Sequence, residues 1–510
     1  MFGRTLAVVV VALLFHCDAF AQDNLPKTPA DLQIVVKMET AKSLMASDEQ
    51  YPVIVSELEP VAADGELYRR LSPAYRHDLD VMLGFAAFRL QRPSLAHAAY
   101  VRASSSPPAT YDDWVWRMET AKLDADFDDA YLAFKTLRAR VPGFEQGLDD
   151  RTVSVLDQGF GRLKDASAQP DWESYLAAQG WRPHDPLFSP DVIRLHYAIS
   201  LLGSGHSDEA ARLADTFTEP IVLAVIGADR RFDAITAGDP SHWDGAAAAQ
   251  RRLLSFQSQA RAHPQSLAWQ SAVASQLYGL GRSVEALAVV QKALATAQQT
   301  SATERVVSPG FSGDYDHALG QKSFFLFSLG RYDEALGVAA GVGACGPCGP
   351  NTDTALLQAH WLVDLGRGRE ALDQLAPVSM SNLTLPSRMT LAQLRACAAG
   401  QTGEADIRLE AMRYLEGHGS DDPSRLIRAQ LCFADTAAAA STVRASLADP
   451  RQRHIVLAEL QLYLPDGVLT PLQVATEDRL QQVRDNAEVR AAVAIYGRIR
   501  RQAIRKDELY

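Results

Sequence analysis

The sequence predicts an all-α fold assembled from repeated helix-turn-helix units. A short phrase recurs along the chain, and its three clearest copies are Leu280–Leu287, Leu329–Leu336 and Leu365–Leu372. Successive alanines of the phrase and its degenerate copies lie 36, 34 and 35 residues apart, at Ala335, Ala371, Ala405 and Ala440. A fixed period in this range is the signature of a solenoid, in which each unit needs its neighbours to bury its faces.

The unit at residues 82–108 shows why such a segment folds as two helices. Met82–Leu90 is apolar at helical spacing, Arg92–Ser94 breaks the helix, and Leu95–Ala103 begins a second one. Pro107-Pro108 closes the unit, because proline cannot continue a helix interior. Small residues let the helices approach closely and large ones fill the space between them: Gly84, Ala87 and Ala96 are small, and Leu83 and Tyr100 are large.

This spacing of small and large residues resembles the tetratricopeptide repeat family. The positions that carry the resemblance are Leu83, Gly84, Ala87, Ala96, Tyr100, Ala103 and Pro108. Lys322-Ser323 departs from the pattern, since the family has a large apolar residue and then a small one there. The resemblance implies a right-handed superhelical α-solenoid of tetratricopeptide-like repeats. The pentamer Met38–Lys42 is identical to Met118–Lys122, which extends the expected array back to residue 30.

The sequence divides into five expected segments. Residues 1–21 form a signal peptide, 25–165 the N-terminal helical repeats and 185–298 the middle helical repeats. Residues 315–450 form the C-terminal tetratricopeptide-like repeats. We expect 451–510 to be capping helices, because end repeats must present a polar outer face.

The first 21 residues have the pattern of a secretory signal peptide. Arg4 supplies positive charge, Leu6–Phe15 is apolar, and Ala19-Phe20-Ala21 is a small-x-small cleavage site. We therefore expect an exported bacterial protein in the periplasm, with secretion from the cell as the alternative. Acylation of Cys17, as in a lipoprotein, is disfavoured because two bulky residues precede it.

Composition excludes several classes of function. The 510 residues carry a formal net charge of −12, so the chain lacks the net basic footprint of a nucleic-acid binder. After the signal peptide no segment reaches the roughly 18 apolar residues of a membrane span. The sequence also contains no phosphate-cradling Gly-rich loop, nucleophile elbow, placed Ser/His/Asp set or closely spaced histidine pair. We therefore expect no cofactor, no metal and no nucleic-acid partner.

The cysteines offer the strongest chemical motif. Cys345-Gly346-Pro347-Cys348 is identical to the redox tetrad of thioredoxin-like proteins, but it follows a predicted helix and does not open one. This context favours a structural disulfide between Cys345 and Cys348, or a strained loop, over redox activity or metal binding. Cys397 and Cys432 occupy equivalent places on adjacent first helices, and packed helices are usually farther apart than a disulfide allows. We expect them to be buried free thiols unless the helices converge there.

The resemblance also implies where a partner binds. In the tetratricopeptide family the first helix of each unit lines the concave face, at positions eight and eleven residues before the landmark alanine. The groove residues expected on this basis are Phe85, Phe88, Glu119, Lys122, Ser275, Tyr278, Phe324, Phe327 and His360. The aromatic members have a second interpretation, as ordinary core between the repeats.

Other polar features have ordinary structural explanations. Asp112-Asp113 and Asp421-Asp422 stand at predicted helix starts, where acidic side chains complement the helix dipole. The basic run from Arg498 to Lys506 fits a solvated last helix better than a lipid-binding surface.

Taken together, the sequence predicts a non-catalytic scaffold that binds protein or peptide partners, within a cell-envelope assembly. Two alternatives remain open at this stage. One is a carbohydrate- or peptidoglycan-linked module of exopolysaccharide export, and the other is a thiol oxidoreductase that uses Cys345 and Cys348.

Overall fold

A computed structural model of the chain describes residues 29–45, 48–185, 188–239, 241–299, 311–342, 352–380 and 383–506. Within these ranges the chain forms 27 α-helices, three short 3-10 helices and two short strands, which confirms the all-α prediction. The expected signal peptide and the Cys345–Cys348 motif lie outside the described residues. None of the helices in the described part is both long and apolar enough to cross a membrane.

The chain divides into two compact units, Met1–Asp185 and Pro186–Tyr510. The helices of the first unit are α1 Pro29–Leu44, α2 Tyr51–Ala63, α3 Gly65–Arg70, α4 Pro73–Arg89, α5 Pro93–Ser105, α6 Tyr111–Asp124, α7 Phe127–Arg140, α8 Asp150–Phe160 and α9 Ala168–Ala178. Met38 and Ala41 on α1 are buried as their counterparts Met118 and Ala121 on α6 are, so the repeated pentamer occupies a similar environment twice.

The second unit contains the remaining elements. Its helices before the clearest repeats are α10 Asp191–Gly203, α11 Ser207–Ala214, α12 Pro220–Ala228, α13 Asp233–Thr236 and α14 Gly245–Ala262. The repeats are α15 Leu267–Gly279, α16 Ser283–Gln299, α17 Phe311–Ser328, α18 Tyr332–Ala339, α19 Thr352–Asp364, α20 Gly368–Leu375, α21 Leu385–Thr402, α22 Ala405–Gly417, α23 Pro423–Cys432 and α24 Thr436–Ala448. The last elements are α25 Arg453–Leu460, β1 Leu462–Leu464, α26 Pro471–Asp485, α27 Ala487–Tyr496 and β2 Arg501–Arg505.

Eight helical hairpins in the described residues share one turn. Each turn contains a residue in the left-handed region, and these residues are Gln91, Ala125, Gly205, Gly281, Gly330, Gly366, Gly403 and Ala434. The next residue donates its amide hydrogen to a carbonyl five positions back, as Arg331 does to Leu326 at 3.0 Å. This hydrogen bond satisfies a carbonyl at the end of the first helix. The shared turn confirms the tetratricopeptide-like repeat and explains why the recurring phrase contains glycine.

The turn corrects the register predicted for two repeats. Ala335 and Ala371, five residues after their left-handed glycines, are fully buried. Ala405 is exposed, because helix α21 continues to Thr402 and the left-handed residue is Gly403, which puts Arg408 at the equivalent position. In the next hairpin the left-handed residue Ala434 gives the landmark position to Ala439, one residue before the predicted Ala440.

Close contact between paired helices depends on small residues, as predicted. A methyl group placed on Gly84 would lie 2.7 Å from the ring of Tyr100, which is almost fully buried between the two helices. At Ser323 the sequence departs from the tetratricopeptide pattern of large and small residues. The helix contact tolerates this serine because its buried hydroxyl donates a 2.5 Å hydrogen bond to the carbonyl of Ala335. The polar residue is therefore satisfied inside its own hairpin.

The C-terminal region contains three helices, α25, α26 and α27, and also a pair of strands that the sequence did not predict. Strands β1 and β2 pair in parallel, with Leu462 opposite Arg501 and Leu464 opposite Arg505. The basic run therefore lies in and around β2, and a last helix is absent there. Arg498 binds Asp233, Arg505 donates to the carbonyl of Pro465 at 2.8 Å, and Lys506 pairs with Glu459. These partners make the basic run part of the fold of the second unit.

Candidate partner-binding face

Three of the four predicted groove residues of the first unit, Phe88, Glu119 and Lys122, lie along one continuous surface. Phe88 on α4 meets Trp116 on α6, with ring centroids 5.1 Å apart and planes at 69°. Trp116 also stacks on the buried ring of Tyr100 at 5.7 Å. Both Phe88 and Trp116 remain partly exposed. Phe85, the other predicted aromatic residue, is buried and packs edge-on against Tyr51 and Trp116, so it belongs to the core beneath this surface.

The surface continues as a polar cluster one helical turn further along α6. The ammonium group of Lys122 lies 2.6 Å from the carboxylate of Glu119. It also hydrogen-bonds the hydroxyl of Thr152 on α8. Thr152 is itself buried and anchors Lys122 from beneath. The four partly exposed residues of this stripe are Phe88, Trp116, Glu119 and Lys122, and we call them the first-unit face. It joins an aromatic half to a charged half across helices α4 and α6.

A buried ion pair fixes the two helices that carry the aromatic half. His77 on α4 lies 2.8 Å from a carboxylate oxygen of Asp113 on α6, between Nε2 and Oδ2. The same oxygen accepts the backbone amide of Thr110, so Asp113 also caps its helix, as predicted for Asp112-Asp113. Burial would lower the pKa of His77, but its hydrogen bonds to Asp113 and Asp78 outweigh burial and raise the pKa to about 9.

A second ion network links hairpin α4–α5 to hairpin α6–α7. Nε2 of His97 lies 2.9 Å from Asp129, and Nδ1 lies 3.2 Å from Asp124, so both ring nitrogens face carboxylates. Burial opposes this charge, but the carboxylates raise the pKa of His97. Burial likewise raises the pKa of Asp129, but its hydrogen bonds to Arg117 and His97 prevail and hold that pKa well below its usual range. A histidine that donates from both nitrogens is an imidazolium, which explains the pairing.

The predicted groove residues of the second unit have mixed environments. Phe327 is 4% exposed and stacks on Trp361 of the next hairpin at 5.1 Å, and Tyr278 is equally buried. These two rings are core between repeats, which corrects the expectation of an open aromatic groove at those positions. Ser275, Phe324 and His360 are partly exposed. Ser275 accepts a 2.7 Å hydrogen bond from Gln321, and Phe324 packs on Tyr278 at 4.9 Å.

The chain's own C-terminal region contacts the same helices. The guanidinium group of Arg505 lies 4.5 Å from the ring centroid of Tyr278. The amide of Gln473 donates a 2.8 Å hydrogen bond to Asp364, whose carboxylate also lies 3.7 Å from His360. The residues missed by sequence reasoning, such as Arg505 and Gln473, contact the repeats across more than 100 residues of sequence. No local pattern could have placed them there.

The structure joins two cysteines that we expected to be free. Cys397 on α21 and Cys432 on α23 form a disulfide, with Cα atoms 5.6 Å apart. The expectation failed because the two first helices converge at this point, well inside the usual spacing of packed helices. Phe433 packs against Gly400 at the same contact, where an added methyl group would lie 2.3 Å from the ring. The missing side chain of Gly400 therefore allows the approach that the disulfide requires.

Comparisons with known proteins find resemblance only among solved structures. The APC/C hetero-tetramer Cut9–Hcn1 is 12% identical, with 96% of this chain and 98% of that chain covered and a TM-score of 0.30. Yeast Tom70 is 11% identical, with 91% and 99% covered and a TM-score of 0.30. The P58(IPK) TPR domain is 9% identical, with 91% and 97% covered and a TM-score of 0.19.

No protein-family model and no curated protein matches the sequence. With TM-scores of 0.30 or lower, these structural similarities establish neither the fold nor the function of this chain. Its repeat fold is established by the eight hairpins and their shared turn.

Proposed function

We propose that the chain is a non-catalytic scaffold that binds an extended segment of a partner protein on the first-unit face. The observation that carries the proposal is the continuity of the partly exposed residues Phe88, Trp116, Glu119 and Lys122 across helices α4 and α6. Aromatic side chains supply much of the binding energy at protein interfaces. The adjacent ion pair offers both a donor and acceptors to a peptide backbone, so the face suits a mixed apolar and polar segment.

The buried ion pairs support this assignment, because they hold α4, α6 and α7 in fixed positions beneath the face. A binding surface built on rigid helices loses little conformational entropy when a partner docks. The His77–Asp113 and Arg117–Asp129 pairs do this for the first unit.

We further propose that the protein works outside the cytoplasm, in the periplasm of a bacterium. The disulfide between Cys397 and Cys432 supports this location, since disulfides persist in oxidising compartments. Cell fractionation and N-terminal sequencing of the mature chain test it. A mature chain that begins at Gln22 in the periplasmic fraction is expected, and a cytoplasmic chain that retains Met1 would contradict it.

Site-specific photo-crosslinking in the native host tests the binding proposal. A benzophenone amino acid placed at Phe88 should form a covalent adduct with one discrete protein. The matched control places it at Leu132, which is 45% exposed on the second helix of hairpin α6–α7. Adducts that are absent at position 88, or identical at both positions, would show that the first-unit face does not bind a partner.

A further inference from the structure

The stretch from Leu464, at the end of β1, to Arg479 on α26 lies across the turns of the second unit's repeats. Leu464 contacts the turn at Gly281, Val468 contacts the turn at Gly330, and Gln473 binds Asp364 just before the next turn. Further on, Arg479 donates a 2.6 Å hydrogen bond to the carbonyl of Leu431. The segment therefore meets the hairpins in the same order as they occur in the chain.

Backbone hydrogen bonds hold the middle of this segment. The amide of Val468 donates to the carbonyl of Ser328 at 2.8 Å, and the hydroxyl of Tyr332 donates to the carbonyl of Val468 at 3.3 Å. The backbone amide and the backbone carbonyl of Val468 are therefore both hydrogen-bonded by residues of the turn at Gly330. An extended peptide added to an exposed edge is recognised in this way, through its main chain. We call the surface formed by Tyr278, Gly281, Ser328, Gly330 and Tyr332 the turn edge.

Glycine is required where the segment approaches the turn edge most closely. Gly467 has a φ of 109°, and a methyl group on it would lie 2.0 Å from the carbonyl oxygen of Ser328. No other residue can occupy this position without moving the segment away from the turn. The turn edge therefore selects glycine by steric exclusion, and it selects the next residue's backbone by hydrogen bonding.

The residues on the N-terminal side of Gly467 add an electrostatic preference. The carboxylate of Asp466 lies 3.4 Å from the hydroxyl of Tyr278, and Arg505 lies over the same tyrosine ring. The segment that fits the turn edge consequently consists of an acidic residue, a glycine at positive φ and an aliphatic residue. Asp466-Gly467-Val468 of the chain itself has this composition.

Little apolar surface holds the segment in place. None of residues 462–469 is buried, and Val468 is 55% exposed. Segments with few buried contacts and exposed backbone hydrogen bonds open at low free-energy cost. By contrast, Phe325, Leu326 and Phe327 on the repeat side are buried, so the turn edge itself stays formed when the segment leaves.

We propose that the turn edge is a peptide-binding site that residues 465–469 occupy in cis, and that an acidic-Gly-aliphatic segment of a partner protein, with its glycine at positive φ, competes for it. The site lies in the second unit, and it does not depend on the function proposed for the first-unit face. Binding by the partner would release the segment, so the chain would carry a built-in competitor for its own ligand.

The test uses the full-length chain and a fluorescein-labelled synthetic peptide with the sequence of residues 462–472. Gly467→Ala should displace the cis segment and expose the turn edge. Gly403→Ala is the matched control, since it places alanine at a left-handed position, φ 80°, with no atom near the added methyl group. Fluorescence anisotropy should show the peptide binding Gly467→Ala at least tenfold more tightly than it binds the wild type or the control. Adding Tyr332→Phe to Gly467→Ala should weaken this binding.

Two results would overturn the proposal. One is a folded Gly467→Ala variant, by circular dichroism, that does not bind the peptide, and the other is equal binding by all three proteins. If Gly467→Ala does not fold, hydrogen exchange of the wild type tests whether the segment is released from the turn edge. The amide of Val468 should exchange at least tenfold faster than the amides of Phe325 and Leu326, whereas exchange at the same rate would exclude local release. Photo-crosslinking at Phe88 tests the other site separately, so failure of one proposal is distinguishable from failure of the other.

Discussion

Arg498, close to the C-terminus, donates two hydrogen bonds to Asp233, at 2.6 and 2.8 Å, across 265 residues of sequence. Gly497 forms an isolated antiparallel bridge with Asp229, and Arg231 donates to the carbonyl of Pro450 at 2.8 Å. Residues 229–233, near the start of the second unit, are therefore in contact with residues 450 and 497–498, near its end. An open solenoid, in which each repeat contacts only its neighbours, would have no such link.

Gly497→Ala should destabilise both ends of the second unit together. A methyl group there would lie 2.5 Å from Leu457 and 2.8 Å from the carbonyl of Ala228, at a cost of about 1–3 kcal/mol. Hydrogen exchange should become faster in α12 as well as in α25. Gly400→Ala, whose added methyl group would meet the ring of Phe433 in the next hairpin, is the control whose effect should remain local. An effect of Gly497→Ala confined to residues after 453 would contradict the contact between the ends.

The double substitution Cys397→Ser with Cys432→Ser should lower the free energy of unfolding. The disulfide closes a loop of 35 residues, which corresponds to about 4 kcal/mol in the chain-entropy description. Urea denaturation with and without a reductant measures the change. Peptide mapping without reduction provides the direct check, since it should recover Cys397 and Cys432 in one linked species. Alkylation of both as free thiols would contradict the pairing.

Phe327→Ala should lower the free energy of unfolding. The ring is buried and stacked on Trp361, so its removal should cost about 3–5 kcal/mol. Phe324→Ala, in the same helix but partly exposed, should cost less. Thermal denaturation by circular dichroism compares the two. If both substitutions lowered stability by an equal and small amount, Phe327 would be a groove residue, as the sequence predicted, and not a core residue.

Stability of the first unit should fall between neutral and alkaline pH through His77. Its pKa in the folded chain, about 9, is above the unfolded value of about 6.5. The stabilisation is therefore complete below about pH 6.5 and is lost as the pH rises through 9. The shift corresponds to about 3 kcal/mol. His77→Gln should remove this pH dependence in urea denaturation, and a His77→Gln variant with an unchanged pH profile would rule the ion pair out as its source.

The sequence was sufficient to predict the helical repeats, because the recurring phrase encodes a local structure. The left-handed glycines, the alanines at the helix contact and the Arg331–Glu334 type of ion pair all lie within a few residues of each turn. The predicted position of the landmark alanine was wrong at Ala405, because either Gly400 or Gly403 could have ended the first helix of that repeat. Helix α21 continues to Thr402, so Gly403 is the glycine that ends it.

The contacts of the C-terminal region could not be predicted in the same way. Gln473 meets Asp364 and Arg505 meets Tyr278 because of tertiary packing, and neither pair shares a repeat. The positions of Phe88, Glu119 and Lys122 on one surface followed from the repeat register. Trp116, which completes that surface, and the buried Thr152, which anchors Lys122, lie outside the two positions per repeat that the resemblance singles out.

The dissociation constant of the partner that cross-links at position 88 tests the central claim most directly. Titration calorimetry should compare the wild type with Phe88→Ala and with the control Leu132→Ala, each confirmed as folded by circular dichroism. Phe88→Ala should weaken binding at least tenfold, about 1.4 kcal/mol, because it removes an aromatic contact from the aromatic half of the first-unit face. Leu132→Ala should leave the constant within twofold of the wild-type value. Equal constants for all three proteins would contradict the assignment of the first-unit face as the binding site.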